Sequence, residues 1–186
     1  MKDAQEVFDF IPGIWKIIRK IKFPLSQEKE DIKVEGYAAF IKSQTEPNVV
    51  MYSEKVVVYN LDPTQKLNGR KTYKYKYDDK NSTLSKYFSD DKLFYKLAKG
   101  FNHNYNGQHR CNQDEYKSNY SFGHEQFTLT YFVRGPEKFY DIVTQYTKVD
   151  VSLDDLQLLG ITIENYEIIW NSKAKKEKKL ESSVWD

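Results

Sequence analysis

Between His109 and Lys148 the chain sets chemically capable side chains into strand-like sequence: His109, Cys111, Asp114 and Tyr116, then Arg134, Lys138, Tyr146 and Lys148. A histidine beside a carboxylate can move protons near neutral pH, with the carboxylate orienting the imidazole. His109, Asp114 and the more distant Glu54 are therefore the catalytic candidates. Cys111, two residues from His109, would be a thiolate nucleophile if both faced one cavity, although no strand–turn–helix nucleophile elbow accompanies it. His109 and Cys111 share one strand parity; Asp114 and Tyr116 share the other. If His109–Tyr120 is one strand, only a β-bulge near Asn112-Gln113 brings all four to one side. Without the bulge, Cys111 belongs to the core, Asp114 to a turn-like hydrogen bond and His109 to the surface. His103, His109, Cys111 and His124 match no zinc spacing, so no metal and no cofactor is expected.

The elements that position these residues are almost all β. Ala4 to Ile11 has the pattern of a short amphipathic helix, with Val7, Phe8 and Ile11 on one side, and Pro12-Gly13 ends it. Strand patterns follow at Ile14–Ile21, Val34–Lys42, Val49–Tyr59, Thr72–Tyr77, Thr83–Phe88, Lys92–Ala98, His109–Tyr120, Gln126–Arg134 and Tyr140–Val149. Turn signals such as Thr45-Glu46-Pro47-Asn48, Leu67-Asn68-Gly69 and Asp78-Asp79-Lys80-Asn81 separate them. With no helix between strands, the pattern predicts an all-β, antiparallel up-and-down barrel, which closes away its own edges. Parity places Trp15, Ile17, Arg19 and Ile21 on one face, and Glu54 among Val50, Tyr52, Val56 and Val58. Two inward charges of opposite sign must be paired or solvated. A polar pocket meets that requirement.

Composition narrows the field. With 186 residues the chain can bury a core as one domain, and 15 Tyr and 11 Phe add large apolar areas to a 39% hydrophobic fraction. A formal net charge of +2 creates no global field for nucleic acid, and only four of the 29 basic residues are Arg. The single Cys111 excludes an internal disulfide and fits a reducing compartment. The polar, acidic N-terminus lacks signal-peptide character, and no window approaches the roughly 18 apolar residues of a membrane span. A cytoplasmic protein that binds no nucleic acid is the expectation; the sequence leaves oligomeric state open. Residues 1–149 form the predicted barrel domain. Residues 150–186 are a C-terminal extension with a helix start at Ser152–Leu156, a strand pattern at Ile161–Trp170 and a lysine-rich tail at Lys173–Lys179.

Gly13-Ile14-Trp15, between the helix and the first strand, resembles the Gly-x-Trp signature of lipocalins and other calycins. In that superfamily the Trp plugs one end of the barrel beneath a cation from a late strand, which implies Lys148 or Arg134 over Trp15 here. The wider set is Gly13-x-Trp15…Arg19, Gly36-x-Ala38-x-Phe40, Tyr52-x-Glu54, His109-x-Cys111-x-x-Asp114-x-Tyr116, Gly135-Pro136-x-Lys138-x-x-Asp141 and Tyr146. It resembles an uncharacterised lipocalin-like family of small stand-alone domains, over about residues 6–149. The resemblance implies the barrel and a polar pocket near Arg19, Glu54, His109 and Asp114, and it supplies no activity. Where that family ends in Tyr-x-Arg, this chain has Tyr146-Thr147-Lys148, so the contact with Trp15 loses the planar guanidinium.

The function expected from these residues is binding of a small polar or anionic molecule, as carrier or sensor. Arg19 would supply charge, Glu54 would pair with or orient it, His109, Cys111 and Asp114 would supply polar contacts, and Tyr52, Tyr75 and Tyr116 the walls. The alternatives are a small acid/base enzyme (isomerase, lyase or hydrolase) using the same pocket, and a protein-interaction module.

Overall fold

The computed structural model describes residues 3–27, 29–59, 66–102 and 104–151. Over them the chain forms α1 (Ala4–Phe10) and eleven strands: β1 (Gly13–Lys22), β2 (Ile32–Lys42), β3 (Val49–Tyr59), β4 (Lys66–Asp78), β5 (Thr83–Phe88), β6 (Leu93–Lys96), β7 (Ala98–Lys99), β8 (Asn104–Cys111), β9 (Asp114–Phe122), β10 (Gln126–Arg134) and β11 (Phe139–Val149). They make one antiparallel sheet in which sequence neighbours pair and β11 returns to β1, with Trp15 opposite Lys148. The two ends of that sheet are β6 and β7, and these belong to one stretch of chain broken at Leu97. β6 pairs with β5 and β7 with β8, so this stretch carries the sheet across its own seam. At the break the Leu97 N–H still bonds the Leu84 carbonyl at 2.8 Å. The result is a nearly closed barrel.

Alternation decides which side chains enter. In β1 the buried residues Trp15, Ile17, Arg19 and Ile21 alternate with exposed Lys16, Ile18, Lys20 and Lys22. The interior is largely aromatic, with Phe127 stacked on Tyr146 at 4.2 Å between ring centres. Closure at the seam needs a close approach. A Cβ on Gly107 of β8 would lie 2.2 Å from a ring carbon of Tyr95 on β6. Glycine there lets the tyrosine ring lie against the β8 backbone.

α1 plugs one end. Asp3 caps it by accepting the Glu6 N–H at 2.8 Å. Val7 and Phe8 are buried, Phe8 stacks on Tyr77, and Phe10 meets Phe122 edge-on. The fully buried Trp15 donates its indole N–H to the Ile11 carbonyl at 2.9 Å, which ties the helix end to β1. Lys148 Nζ lies 5.5 Å from the Trp15 ring and 5.7 Å from Phe10. Its chain crosses Gly13, whose φ of +134° suits glycine and where a Cβ would stand 3.1 Å from Lys148 Cε.

Three local expectations need correction. His109–Tyr120 is not one strand: Cys111 pairs with Asp114 across a two-residue turn, in which Asn112 takes a φ of +55°. Leu67-Asn68-Gly69 is not a turn but lies inside β4, where Gly69 faces Val56. Lys92–Ala98 is interrupted at Leu97 by the seam. The expectations for Ser152–Leu156, Ile161–Trp170 and Lys173–Lys179 lie outside the described residues. No helix among the described residues is long and apolar enough to cross a membrane.

Gly107→Ala should destabilise the barrel by about 1–3 kcal/mol, the usual range for overpacking. Urea unfolding of the two proteins measures it, and an unchanged midpoint would remove the role given to the Tyr95–Gly107 approach.

Candidate functional site

Two buried polar groups occupy the middle of the barrel. In the first, the Arg19 guanidinium grips Glu54 with both ends of its fork, Nη1 to Oε1 at 2.8 Å and Nη2 to Oε2 at 2.6 Å, while Nε donates to Thr144 Oγ1 at 2.8 Å. Register explains the reach. Thr144 sits directly opposite Arg19 on β11, and on β2, between Arg19 and Glu54, the inward positions are the small Gly36 and Ala38. Tyr52 donates to the same carboxylate, and its hydroxyl lies 3.1 Å from that of Tyr146. Burial alone would raise the Glu54 carboxyl. The Arg19 charge and its hydrogen bonds outweigh burial and hold it below the usual carboxylate range. Burial pushes the Tyr146 hydroxyl up to about 12, against the lowering effect of the Arg19 charge. Arg19 is thus bonded through Nε and both ends of its fork, to Thr144 and Glu54.

The second group surrounds Lys86, only 2% exposed. Its register partners are Tyr75 on β4 and Tyr95 on β6. Nζ lies 3.9 Å from the Tyr73 ring centre and within 6 Å of those of Tyr52, Tyr75, Phe94, Tyr95 and Tyr131. It donates to the Tyr131 hydroxyl at 2.9 Å. From there a hydroxyl chain runs to Tyr95 at 2.6 Å, Tyr120 at 2.6 Å and Tyr75 at 3.0 Å. Among the described residues no carboxylate lies within ion-pair distance of Lys86. Burial, then Lys71, hold its amine well below the ordinary lysine range; Glu54 pulls the other way, and Arg19 adds a smaller lowering. The magnitudes agree: desolvating a charge costs several kcal/mol, whereas a desolvated cation over an aromatic face recovers about 2.

The end away from α1 holds His109, Cys111, Asp114 and Tyr116. Residues directly opposite in an antiparallel pair share a face. The hairpin therefore brings His109 with Tyr116 and Cys111 with Asp114 to one side without a bulge. His109 is half-buried among Phe88, Phe94 and Tyr116, with Phe94 at 5.1 Å, and makes no hydrogen bond among the described residues. Asp114 instead pairs with Lys138 at 3.0 Å, and Lys138 also donates to Tyr116 at 3.3 Å. That pairing outweighs desolvation and raises the Lys138 amine. The expected His109–Asp114 dyad is not formed, because the carboxylate has a nearer cation. Cys111 is exposed at the hairpin. Arg134 cannot be the cation over Trp15: it caps the far end of β10, bound to Asp141 at 2.7 Å and lying 4.0 Å over the Phe139 ring.

Lys86, Tyr95, Tyr120 and Tyr131 were not among the expected site residues. The signal for Lys86 was present: Leu84, Lys86 and Phe88 share the inward parity of β5, the same test that singled out Arg19 and Glu54. Tyr95 carried no such signal, because the register shifts between Lys86 and Tyr87.

Glu54→Gln should destabilise the protein by about 3–5 kcal/mol, since it strands the Arg19 charge in the interior, and the double change Arg19→Met with Glu54→Leu should recover most of that loss. The lowered Glu54 value means that its contribution is complete above the unfolded carboxyl value of about 4.3 and fades as pH falls through the lower native value. Urea midpoints across acidic pH should therefore fall more steeply for the native sequence than for the double variant. Parallel curves would show that the bridge does not govern acid stability.

Comparison with known proteins extends the same picture. A solved chain, the S-type phycobiliprotein lyase CPES from Guillardia theta, superposes with a TM-score of 0.58 at 7% identity, covering 81% of this chain and 94% of that one. At that identity the likeness shows the barrel fold alone. No curated protein matches. Residues 11–148, from the last turn of the plug to the lysine over Trp15, match a family described as being of unknown function, DUF6314, and the chain belongs to it.

Proposed function

We propose that the barrel binds a small, planar molecule carrying an anionic group, reached from the end away from α1. The observation that carries this reading is Lys86, buried among six aromatic rings with no carboxylate within ion-pair distance among the described residues. Arg19, Lys71 and Lys86 all sit on inward-facing positions near Glu54, and Glu54 is already gripped by Arg19. Lys71 is directly opposite Glu54 on β4, and its charge acts on both Glu54 and Lys86. An anion arriving in this aromatic interior gains from that basic bias. The Tyr73, Tyr95 and Tyr131 rings offer flat apolar faces to a planar body. The same architecture serves a phycobiliprotein lyase in Guillardia theta; what the present barrel takes up follows from its own side chains.

The separated His109 and Asp114 give no support to acid/base catalysis through that pair, so binding is the reading the geometry favours. Titration with the fluorescent anion anilinonaphthalene sulfonate should give a saturable, blue-shifted signal. Lys71→Gln should weaken it on the order of tenfold, equivalent to about 1.4 kcal/mol. Equal affinity in the variant would rule out a basic interior as the source of binding. Native mass spectrometry of protein purified without added ligand should show a mass excess that disappears on denaturation, and its identity names the ligand.

A further inference from the structure

We infer that Lys86 is an attachment point for a carbonyl-bearing ligand, which it holds as an imine. The inference rests on the small-anion reading above and narrows its ligand to an aldehyde or ketone conjugated to a planar body. Three observations support it. Lys86 Nζ is enclosed by six aromatic rings and bonded to one hydroxyl. Burial disfavours a proton on it most, and Lys71 and more weakly Arg19 add to this against the pull of Glu54. Burial and the nearby Lys71 charge thus disfavour the charged amine, and its neutral form carries the lone pair that nucleophilic attack requires. The Lys86 side chain is also almost wholly shielded from solvent, which protects an imine from hydrolysis.

An aromatic enclosure of this kind elsewhere suits an ammonium ligand. Here Lys86 itself fills the enclosure, so an external ammonium has no place. A carbonyl carbon brought to Nζ does. The lone pair forms the C–N bond as the C=O π pair moves onto oxygen. One Nζ proton is transferred to that oxygen, and Tyr131, 2.9 Å from Nζ, is positioned to relay it along the hydroxyl chain. Departure of the hydroxyl as water, with the second Nζ proton, leaves the C=N bond. Amine plus carbonyl becomes imine plus one water, with no oxidant or reductant. Phe88, Phe94 and His109 lie towards the end of the barrel from which the ligand would arrive, and Phe94 touches both His109 and the Lys86 enclosure.

The test uses the full chain, para-carboxybenzaldehyde as probe, sodium cyanoborohydride to reduce any imine to a stable secondary amine, and peptide mapping by mass spectrometry at neutral pH. Exposed Lys16, Lys20 and Lys33 serve as internal references. Lys86 should be labelled more than each exposed reference by on the order of tenfold, as its enclosure favours the neutral, nucleophilic amine. Tyr131→Phe should slow labelling at Lys86 and leave the references unchanged. Lys86→Met should abolish the excess. The native chain alone decides the case if that variant fails to fold. Displacement of anilinonaphthalene sulfonate by the aldehyde and by para-(hydroxymethyl)benzoate, which lacks the carbonyl, separates the two readings. If both displace it while Lys86 is labelled no more than the references, imine formation is overturned and anion binding stands. If neither displaces it and Lys86 is unlabelled, both readings fall.

Discussion

A closed barrel must account for every charge it encloses, and the Arg19–Glu54 bridge is where this one does so. The bridge saturates: both ends of the guanidinium fork and Nε are bonded, and the carboxylate takes Tyr52 as well. A buried pair of this quality adds little net stability compared with well-packed apolar residues, yet losing either partner is expensive. Its main consequence lies next door. With Glu54 committed to Arg19, no carboxylate among the described residues lies within ion-pair distance of Lys86, whose surroundings are rings and hydroxyls. The state of Lys86 is set first by burial and then by Lys71, with Glu54 and Arg19 of the bridge acting on it from a distance in opposite directions.

Barrel closure and the Lys86 enclosure depend on the same few residues. The seam stretch 93–99 places Tyr95 against Gly107 of β8, and the same tyrosine sits opposite Lys86 and bonds both Tyr120 and Tyr131. The register shift between Lys86 and Tyr87 inserts one extra residue into β6, so that consecutive residues Phe94 and Tyr95 are both buried. An irregular ladder at this point thus gives the enclosure two neighbouring rings where a regular strand would give one. Bulges commonly re-aim side chains next to sites, and here the bulge falls beside the buried amine.

Much of this was legible in the sequence, and the failures have physical causes. The all-β barrel, the helix plug, Trp15 at the start of β1 and the inward placement of Arg19 and Glu54 followed from turn spacing, two-residue periodicity and the Gly-x-Trp resemblance. The hairpin at Asn112-Gln113 was hidden because neither residue is the glycine that marks a tight turn, so β8 and β9 read as one strand. Leu67-Asn68-Gly69 misled in the opposite direction: a turn-like triplet sits inside a long strand because β3 pairs along its whole length. Pairings that depend on the third dimension, such as Asp114 with Lys138 and Arg134 with Asp141, carry no local signature. Lys86 had one, but a single lysine among 29 basic residues is easily taken for a solvated one.

The enclosure is built from tyrosine rather than from a carboxylate, and this choice determines what the site can respond to. A fixed aspartate or glutamate would keep Lys86 protonated permanently and close the interior's charge balance. Tyrosine hydroxyls do not, because burial raises those of Tyr75, Tyr95, Tyr120 and Tyr131 above their ordinary value and keeps them neutral. They accept or pass a proton without becoming a counter-ion. The lowered lysine value has a defined sign: the unfolded chain binds this proton more tightly, so the cost to stability is full below the native value and vanishes as pH rises past the unfolded value of about 10.4.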